Sequence, residues 1–297
     1  MNTTTPDQQI GANDEAIRAW DGPLYERFVR FREIVTTGLG AHGEQALRLQ
    51  PPKPGARVLD VGCGFGDTTQ RIAGIVGADG EAVGVDAAAR FIEDAVREAR
   101  EANVTNARFL VADVQETLCG EERFDMAFSR FGTMFFANPV AALRNVRAAL
   151  VPGGSLVMVV WRRRIDNDWL YRAQTIVEEI VARPEEHDEP TCGPGPFSMA
   201  DADTTSEILT HAGFTNIALH RCDIPIVIGK DLEEARELVM ALGPAGEILR
   251  LAGDRAAHLH GQVDVALREG LAEFAAEAEV RAPASTWIIT ASAHTGG

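Results

Sequence analysis

Between residues 57 and 161 the chain alternates short apolar runs with longer amphipathic stretches. Residues 57–61, 82–86, 107–112, 124–129 and 155–161 have the length and β-branched content of strands, whereas 68–76, 88–102 and 140–150 carry apolar residues at helical spacing. Strands that are apolar on consecutive positions are covered on both faces, so the alternation predicts a parallel sheet with helices on either side. Ahead of it, residues 14–50 read as helical, with Trp20, Leu24, Phe28 and Phe31 along one side, until Pro51-Pro52-Lys53-Pro54-Gly55 breaks the pattern. Beyond Trp161 the rhythm changes. A helical stretch over 169–182 leads into a Pro- and Gly-rich loop over 184–196, then a helix over 201–212 that Gly213 stops. Residues 216–228 predict one long strand in which Pro225 calls for a break or an edge position. A helical insert over 231–279 and a closing strand over 286–291 complete the chain.

The first strand, Arg57-Val58-Leu59-Asp60-Val61, runs into Gly62-Cys63-Gly64-Phe65-Gly66-Asp67, with glycine at alternate positions. Such a turn, opening a helix, lets the backbone approach a small ligand closely. A dinucleotide-binding turn is written G-x-G-x-x-G. Here the third glycine comes one position early and Asp67 stands where that fingerprint needs glycine. A carboxylate there repels a pyrophosphate, but it can cap the helix or face a cation. The expected ligand is nucleotide-like, positively charged and free of phosphate; the alternative is a tight turn that holds no ligand. Asp60-Val61-Gly62-Cys63-Gly64-Phe65-Gly66 resembles the first motif of the class I S-adenosylmethionine-dependent methyltransferases, whose cofactor carries a sulfonium and an amino acid and no phosphate. The fold expected is therefore α/β: a Rossmann-like seven-stranded, mostly parallel sheet with helices on both faces, a mainly helical cap built from inserts, and an N-terminal helical lid. In residue numbers this gives a disordered tail over 1–13, the lid over 14–50, the cofactor-binding core over 51–161, a cap insert over 162–212, a sheet strand over 213–230, a second helical cap insert over 231–280, and a closing strand and tail over 281–297.

Ligands of such sheets bind outside the carboxyl ends of the strands, which directs attention to Asp86, Asp113 and Ser129-Arg130-Phe131-Gly132. Asp86 can accept both hydrogen bonds of a ribose diol. The same acid occurs in NAD-binding folds, and an Asp at a strand end can also cap the next helix. The resemblance implies that Asp113 receives an adenine amino group, that Val114 offers its amide to a ring nitrogen, and that Ala87 is among the apolar groups around the base. It implies further that the backbone of Ser129, Arg130 and Phe131 passes beneath the methionine part, with Met134, Phe135 and Phe136 facing the substrate, and that Trp20 and Tyr25 fold over the cofactor. Asp60, Gly62, Cys63, Gly64, Asp67 and Thr68 complete the expected cofactor contacts. Read from the residues alone, Arg130 either grips a carboxylate through two hydrogen bonds or salt-bridges a helix, Asp113 can be a solvated loop residue, and the aromatic and Met side chains can be core. Trp161, Asn167 and Trp169 either line the acceptor pocket or anchor the cap. Leu150-Val151-Pro152-Gly153-Gly154-Ser155-Leu156 resembles the helix-to-strand turn of the family and is architectural.

A formal net charge of −16 makes a phosphate backbone a poor partner, so no nucleic acid is expected despite the local run Arg162-Arg163-Arg164. The four cysteines, Cys63, Cys119, Cys192 and Cys222, form no C-x-x-C pair, which suits a reduced, cytoplasmic protein with no resident metal. The polar amino terminus lacks a signal-peptide layout, and no run approaches the roughly 20 apolar residues of a membrane span. His187, His211, His220, His258 and His260 read as surface residues, and nothing resembles a dedicated catalytic pair. The expected activity is transfer of a methyl group to a small, partly apolar molecule by in-line displacement, mainly through proximity and desolvation, with S-adenosylhomocysteine as product and a homodimer left open. Three alternatives stand beside it. Cys192 and Cys222 in the cap half keep arsenite methylation open, an NAD-linked oxidoreductase is opposed by Asp67, and a non-catalytic cofactor-binding module calls for an acceptor pocket filled by Trp161, Trp169 or Phe197. The resemblance spans about residues 54–161 and is nearest to the ubiquinone and menaquinone biosynthesis type.

Overall fold

The computed structural model describes residues 13–116, 123–181 and 195–294. The amino-terminal segment is helical in pieces: α1 (Asp14–Ala19), α2 (Tyr25–Arg30) and α3 (Gly40–Leu49), with wider helical turns over Trp20–Leu24 and Ile34–Gly38. The chain kinks at Gly22, beside Pro23, which supplies no backbone N–H. The alternating region then follows as β1 (Arg57–Val61), α4 (Asp67–Val76), β2 (Glu81–Asp86), α5 (Ala89–Glu101), β3 (Ala107–Val111), β4 (Phe124–Arg130), α6 (Pro139–Ala149) and β5 (Leu150–Trp161). After it come α7 (Asp168–Ile180), α8 (Ala202–His211), β6 (Phe214–Gly229), α9 (Leu232–Leu242), α10 (Pro244–Ala252), α11 (His260–Leu271) and β7 (Val280–Ala293).

The seven strands form one sheet in the order β3-β2-β1-β4-β5-β7-β6. Strands β1 to β5 pair in parallel, and β7 runs antiparallel to both of its neighbours. Val58, Leu59 and Val61 are buried because helices cover both faces, which is why their run does not alternate. The fifth strand starts at Leu150 rather than Ser155: Leu150 pairs with Phe124, and the chain then passes Gly153 at a φ of +78° and a register irregularity before Ser155 pairs with Met126. Pro225 is accommodated without a break because β6 is an edge strand, and Pro225 faces Pro283 of β7, where neither residue needs to donate.

The cap consists of α7 packed with α9, α10 and α11. Helix α8, which falls in the span 162–212 expected to be cap, lies instead against α6 and β6 and covers the sheet. Asp201 caps its amino terminus by accepting from the Thr204 amide at 2.8 Å. Among the described residues no helix is long and apolar enough to cross a membrane.

Candidate functional site

Strand order reverses between β1 and β4, and the crevice at that switch point is where an open α/β sheet receives a ligand. A cavity of about 840 Å³ opens there, between the strand ends, the amino-terminal helices and the cap. The glycine turn forms one wall. The amides of Gly62 and Cys63 donate to Val85 O at 2.8 and 3.1 Å, which ties the turn to β2. Gly62 has a φ of +69°, and a Cβ there would stand 2.8 Å from Gly132 Cα, so only glycine lets β1 and β4 close at this level. Gly66 leaves room for Phe109 and Ala95, the close helix-to-strand packing that a dinucleotide turn assigns to its third glycine.

Four carboxylates line the same end of the cavity: Asp60, Asp67, Asp86 and Asp113. Asp86 accepts from the amides of Gly64 and Ala88, both at 3.0 Å, and so shapes the turn as well as facing the cavity. Burial holds its carboxyl above the ordinary range, against the opposing effect of the backbone N–H groups. Asp113 accepts from the Gln115 amide at 3.0 Å and from Asn13 Nδ2 at 2.7 Å. Asn13, read from sequence as part of the tail, thus reaches the strand ends; residues 1–12 lie outside the described residues. Asp67 makes no capping hydrogen bond on α4 and instead accepts from Arg130 Nη2 at 2.6 Å. Arg130 Nη1 also donates to the carbonyls of Val35 and Thr36 at 3.3 and 3.4 Å, so this guanidinium joins β4 to α4 and to the amino-terminal segment. Of the two roles open to Arg130, the structure displays the salt bridge to a helix.

Gly62, Cys63, Gly64, Thr68, Ala87, Val114, Phe131 and Trp20 also line the cavity, as do Met134, Phe135, Trp161 and Trp169 on the cap side. Three residues singled out in the sequence do not line it, each for a visible reason. Ser129 is 1% exposed and donates to Val61 O at 2.7 Å, which stitches β4 to β1. Tyr25 donates to Asp94 Oδ2 at 2.6 Å and packs its ring edge-on to Phe91 on α5, under the Arg90 guanidinium, so it fastens the amino-terminal helices to the body. Asn167 is fully buried, receives the Ser285 amide at 2.7 Å and donates to Ser285 O at 3.2 Å; it clamps β7 rather than lining a pocket.

Phe131 has a φ of +59°, an uncommon conformation for a residue with a side chain, and its ring packs on Trp161 with centroids 4.6 Å apart. Together they separate the cavity from His42 of α3, a fully buried residue that the sequence pattern does not reveal. His42 Nδ1 stands 3.0 Å from Thr286 Oγ1 and 3.6 Å from Cys222 Sγ. Burial, helped by Arg130, pushes its imidazole down to about 4, against the Ile224 backbone and Asp223. The neutral ring is the form that fits, so His42 contributes stability that is complete above the unfolded value near 6.5 and is lost as pH falls toward 4. Thermal melts are expected to show a loss of roughly 3 kcal/mol across that interval, absent from a His42→Gln variant.

Cys63 and Cys222 are both buried, with thiols raised by burial, and Cys222 lies on β6 outside the cavity. Cys119, Cys192 and His187 lie outside the described residues. His211, His220, His258 and His260 are exposed and do not line the cavity. The cap contributes Phe197, Gln174, Leu238, Met240 and Ile248, none of them marked by a sequence motif. Trp161, Trp169 and Phe197 line the space and leave it open.

Residues 52–186 match the family model described as a methyltransferase domain. The aklanonic acid methyltransferase DauC of Streptomyces sp. (strain C5) is 32% identical over 114 residues, covering 38% of this chain and 52% of that protein. The ubiquinone/menaquinone biosynthesis C-methyltransferase UbiE of Ectopseudomonas mendocina is 32% identical over 114 residues, 38% of this chain and 44% of its own. The matched stretch thus spans about half the length of these curated relatives. Among solved structures, BH2331 of Bacillus halodurans C-125 superimposes with a TM-score of 0.55 at 16% identity, covering 85% of this chain and 98% of that one. YcgJ of Bacillus subtilis gives 0.54 at 16%, covering 87% and 98%. At such identities the two structures speak to the fold. Over residues 52–186 the chain is thus similar to a methyltransferase domain, and over 114 residues to the methyltransferases DauC and UbiE.

Proposed function

We propose that the protein is an S-adenosylmethionine-dependent methyltransferase that acts on a small, partly apolar molecule. One observation carries this reading: a single cavity joins a glycine turn ringed by four carboxylates to an aromatic chamber beneath the cap. Asp67 is paired with Arg130, but Asp86 and Asp113 line the same end, and their negative charge fits a ligand that is positively charged and free of phosphate better than a pyrophosphate. In this reading Asp86 holds the ribose diol, Asp113 and the Val114 amide hold the adenine beside Ala87, and Gly62, Cys63, Gly64 and Thr68 border the remainder. Once bound, the cofactor supplies a methyl group activated on sulfur. The chain's own part is to orient the acceptor against that group and to keep water away, for which Phe131, Met134, Phe135, Trp161 and Trp169 supply an apolar wall. Trp20, packed edge-on to Phe135 with centroids 4.7 Å apart, closes the cavity from the amino-terminal side.

Small molecules rather than nucleic acid suit a chain of net charge −16. The division into a lid over 14–50, a core over 51–161 and a cap built on 162–212 and 231–280 belongs to the same proposal, with α8 transferred from the cap to the core, as do a cytoplasmic location and a homodimer. Incubation with S-adenosylmethionine and pools of candidate metabolites is expected to give products heavier by one methyl group in a mass search. Binding of NAD(H) without binding of S-adenosylmethionine would sink the proposal.

A further inference from the structure

The three arginines that follow β5 meet different fates in the fold. Arg162 is buried, paired with Asp166 and Asp223 at 3.2 and 3.0 Å, and lies over the Trp287 ring. Arg163 is exposed and pairs with Asp166 at 3.1 Å. Arg164 turns to the cavity instead, half-buried on its wall, with the guanidinium 5.4 Å from the centre of the Phe197 ring. Two features hold it there. Gln174 of α7 is buried; its Nε2 donates to Glu178 Oε1 at 2.5 Å, so its Oε1 is the atom that accepts from Arg164 Nη1. The turn that carries Arg164 is pinned by Asn167, whose side chain is bound to Ser285 of β7 and to Arg163 O. The sheet order sets this charge apart from the acidic end. Strand β5 stands three strands from β2 and four from β3, about 14 and 19 Å at ordinary strand spacing, and Asp86 closes β2 while Asp113 follows β3. Of the other guanidiniums on the wall, Arg27 and Arg250 are exposed, and Arg130 serves the bridge to Asp67.

We infer that the methyl acceptor is an aromatic acid whose carboxylate is held by Arg164, with its ring against the apolar wall and its opposite edge turned to the cofactor. The inference rests on the proposed methyl transfer. A guanidinium presents a planar fork of N–H donors that matches a carboxylate, and it stays charged throughout the physiological range. Phe131, Trp161, Trp169 and Phe197 beside it suit a flat, apolar ring. The acids at the other end decide the orientation. A carboxylate placed near Asp86 and Asp113 meets like charge, whereas at Arg164 it meets the opposite one, so an acidic acceptor enters the same way round each time. Charge thus selects the atom that faces the cofactor: one remote from the carboxylate, and not the carboxylate itself.

Equilibrium dialysis of 2-naphthoate and 2-naphthamide, which share a ring and differ in charge, tests this on the protein saturated with S-adenosylhomocysteine. The unaltered protein is expected to hold the naphthoate about tenfold more tightly than the amide, as a charge-assisted pair requires. Arg164→Gln is expected to bring the two within about twofold by weakening the naphthoate alone, and Arg164→Lys to keep part of the preference because it keeps the charge and loses the fork. Gln174→Leu, which removes the group that orients the guanidinium, is expected to weaken the naphthoate severalfold with the amide unchanged, and it serves if the Arg164 variants do not fold. Affinity for S-adenosylhomocysteine is expected to stay near that of the unaltered protein in each variant. Equal affinity for the two probes, binding of neither, or a preference that survives Arg164→Gln would overturn the inference. Failure of S-adenosylhomocysteine to bind would instead remove the cofactor reading, and the same probes dialysed without it would still decide for or against Arg164.

Discussion

Replacing Asp86 by alanine is expected to lower the affinity for S-adenosylmethionine about a hundredfold or more while the sheet still forms. The proposed ribose contact is only part of the reason. Asp86 receives the amides of Gly64 and Ala88, and hydrogen bonds to a charged group contribute about 1.5–3 kcal/mol each. Without the carboxylate the Gly64 amide loses its acceptor at the place where the backbone has to hold its shape against the ligand. Asp86→Asn retains one acceptor oxygen and is expected to fall between the wild type and alanine. Calorimetric titration with S-adenosylhomocysteine gives the affinities, and circular dichroism checks the fold, which depends on the apolar strand β1 and its neighbours rather than on this side chain. Unchanged affinity in the alanine variant would remove the ribose assignment.

The second large effect is expected at Asn167, and on stability rather than binding. Its side chain makes two hydrogen bonds to Ser285 of β7 and donates a third to Arg163 O, all from a fully buried position. Asn167→Ala leaves the Ser285 amide and carbonyl without these partners. Ser285 O keeps the Arg162 amide at 3.0 Å and Arg163 O keeps the Asp166 amide at 2.9 Å, so the Ser285 amide is the buried group left without its acceptor, and a loss of about 1–3 kcal/mol is expected. Thermal or urea unfolding should register it, while the affinity of the folded variant for S-adenosylhomocysteine stays near that of the wild type. A variant with normal stability and a raised KM for acceptor would return Asn167 to the acceptor pocket.

The alternation of strands and helices, the mostly parallel sheet and the ligand-bearing turn can all be read from the sequence, because they are written locally. Val58, Leu59 and Val61 are apolar in succession because both faces of β1 are covered, and the alternate glycines mark a turn where the backbone must come close to its neighbours. Asp86 and Asp113 could be located for a similar reason: the ends of parallel strands converge on one edge of the sheet, whatever the loops between them do.

Side chains whose partners are distant in sequence were not legible in the same way. Tyr25 and Asn167 look like binding residues by composition, yet Tyr25 is taken by Asp94, 69 positions away, and Asn167 by Ser285, 118 positions away. Arg130 could grip a ligand or a helix until Asp67, 63 positions earlier, is seen to hold it. His42 carries no motif at all, because its burial depends on Phe131, Trp161 and Thr286 closing around it. Sequence by itself determined the sheet, the turn and the ring of strand-end acids. Tertiary structure alone decided which polar groups are free to meet a ligand and which are spent on holding the fold, since a buried hydrogen-bonding group must find its partner wherever the packing places one.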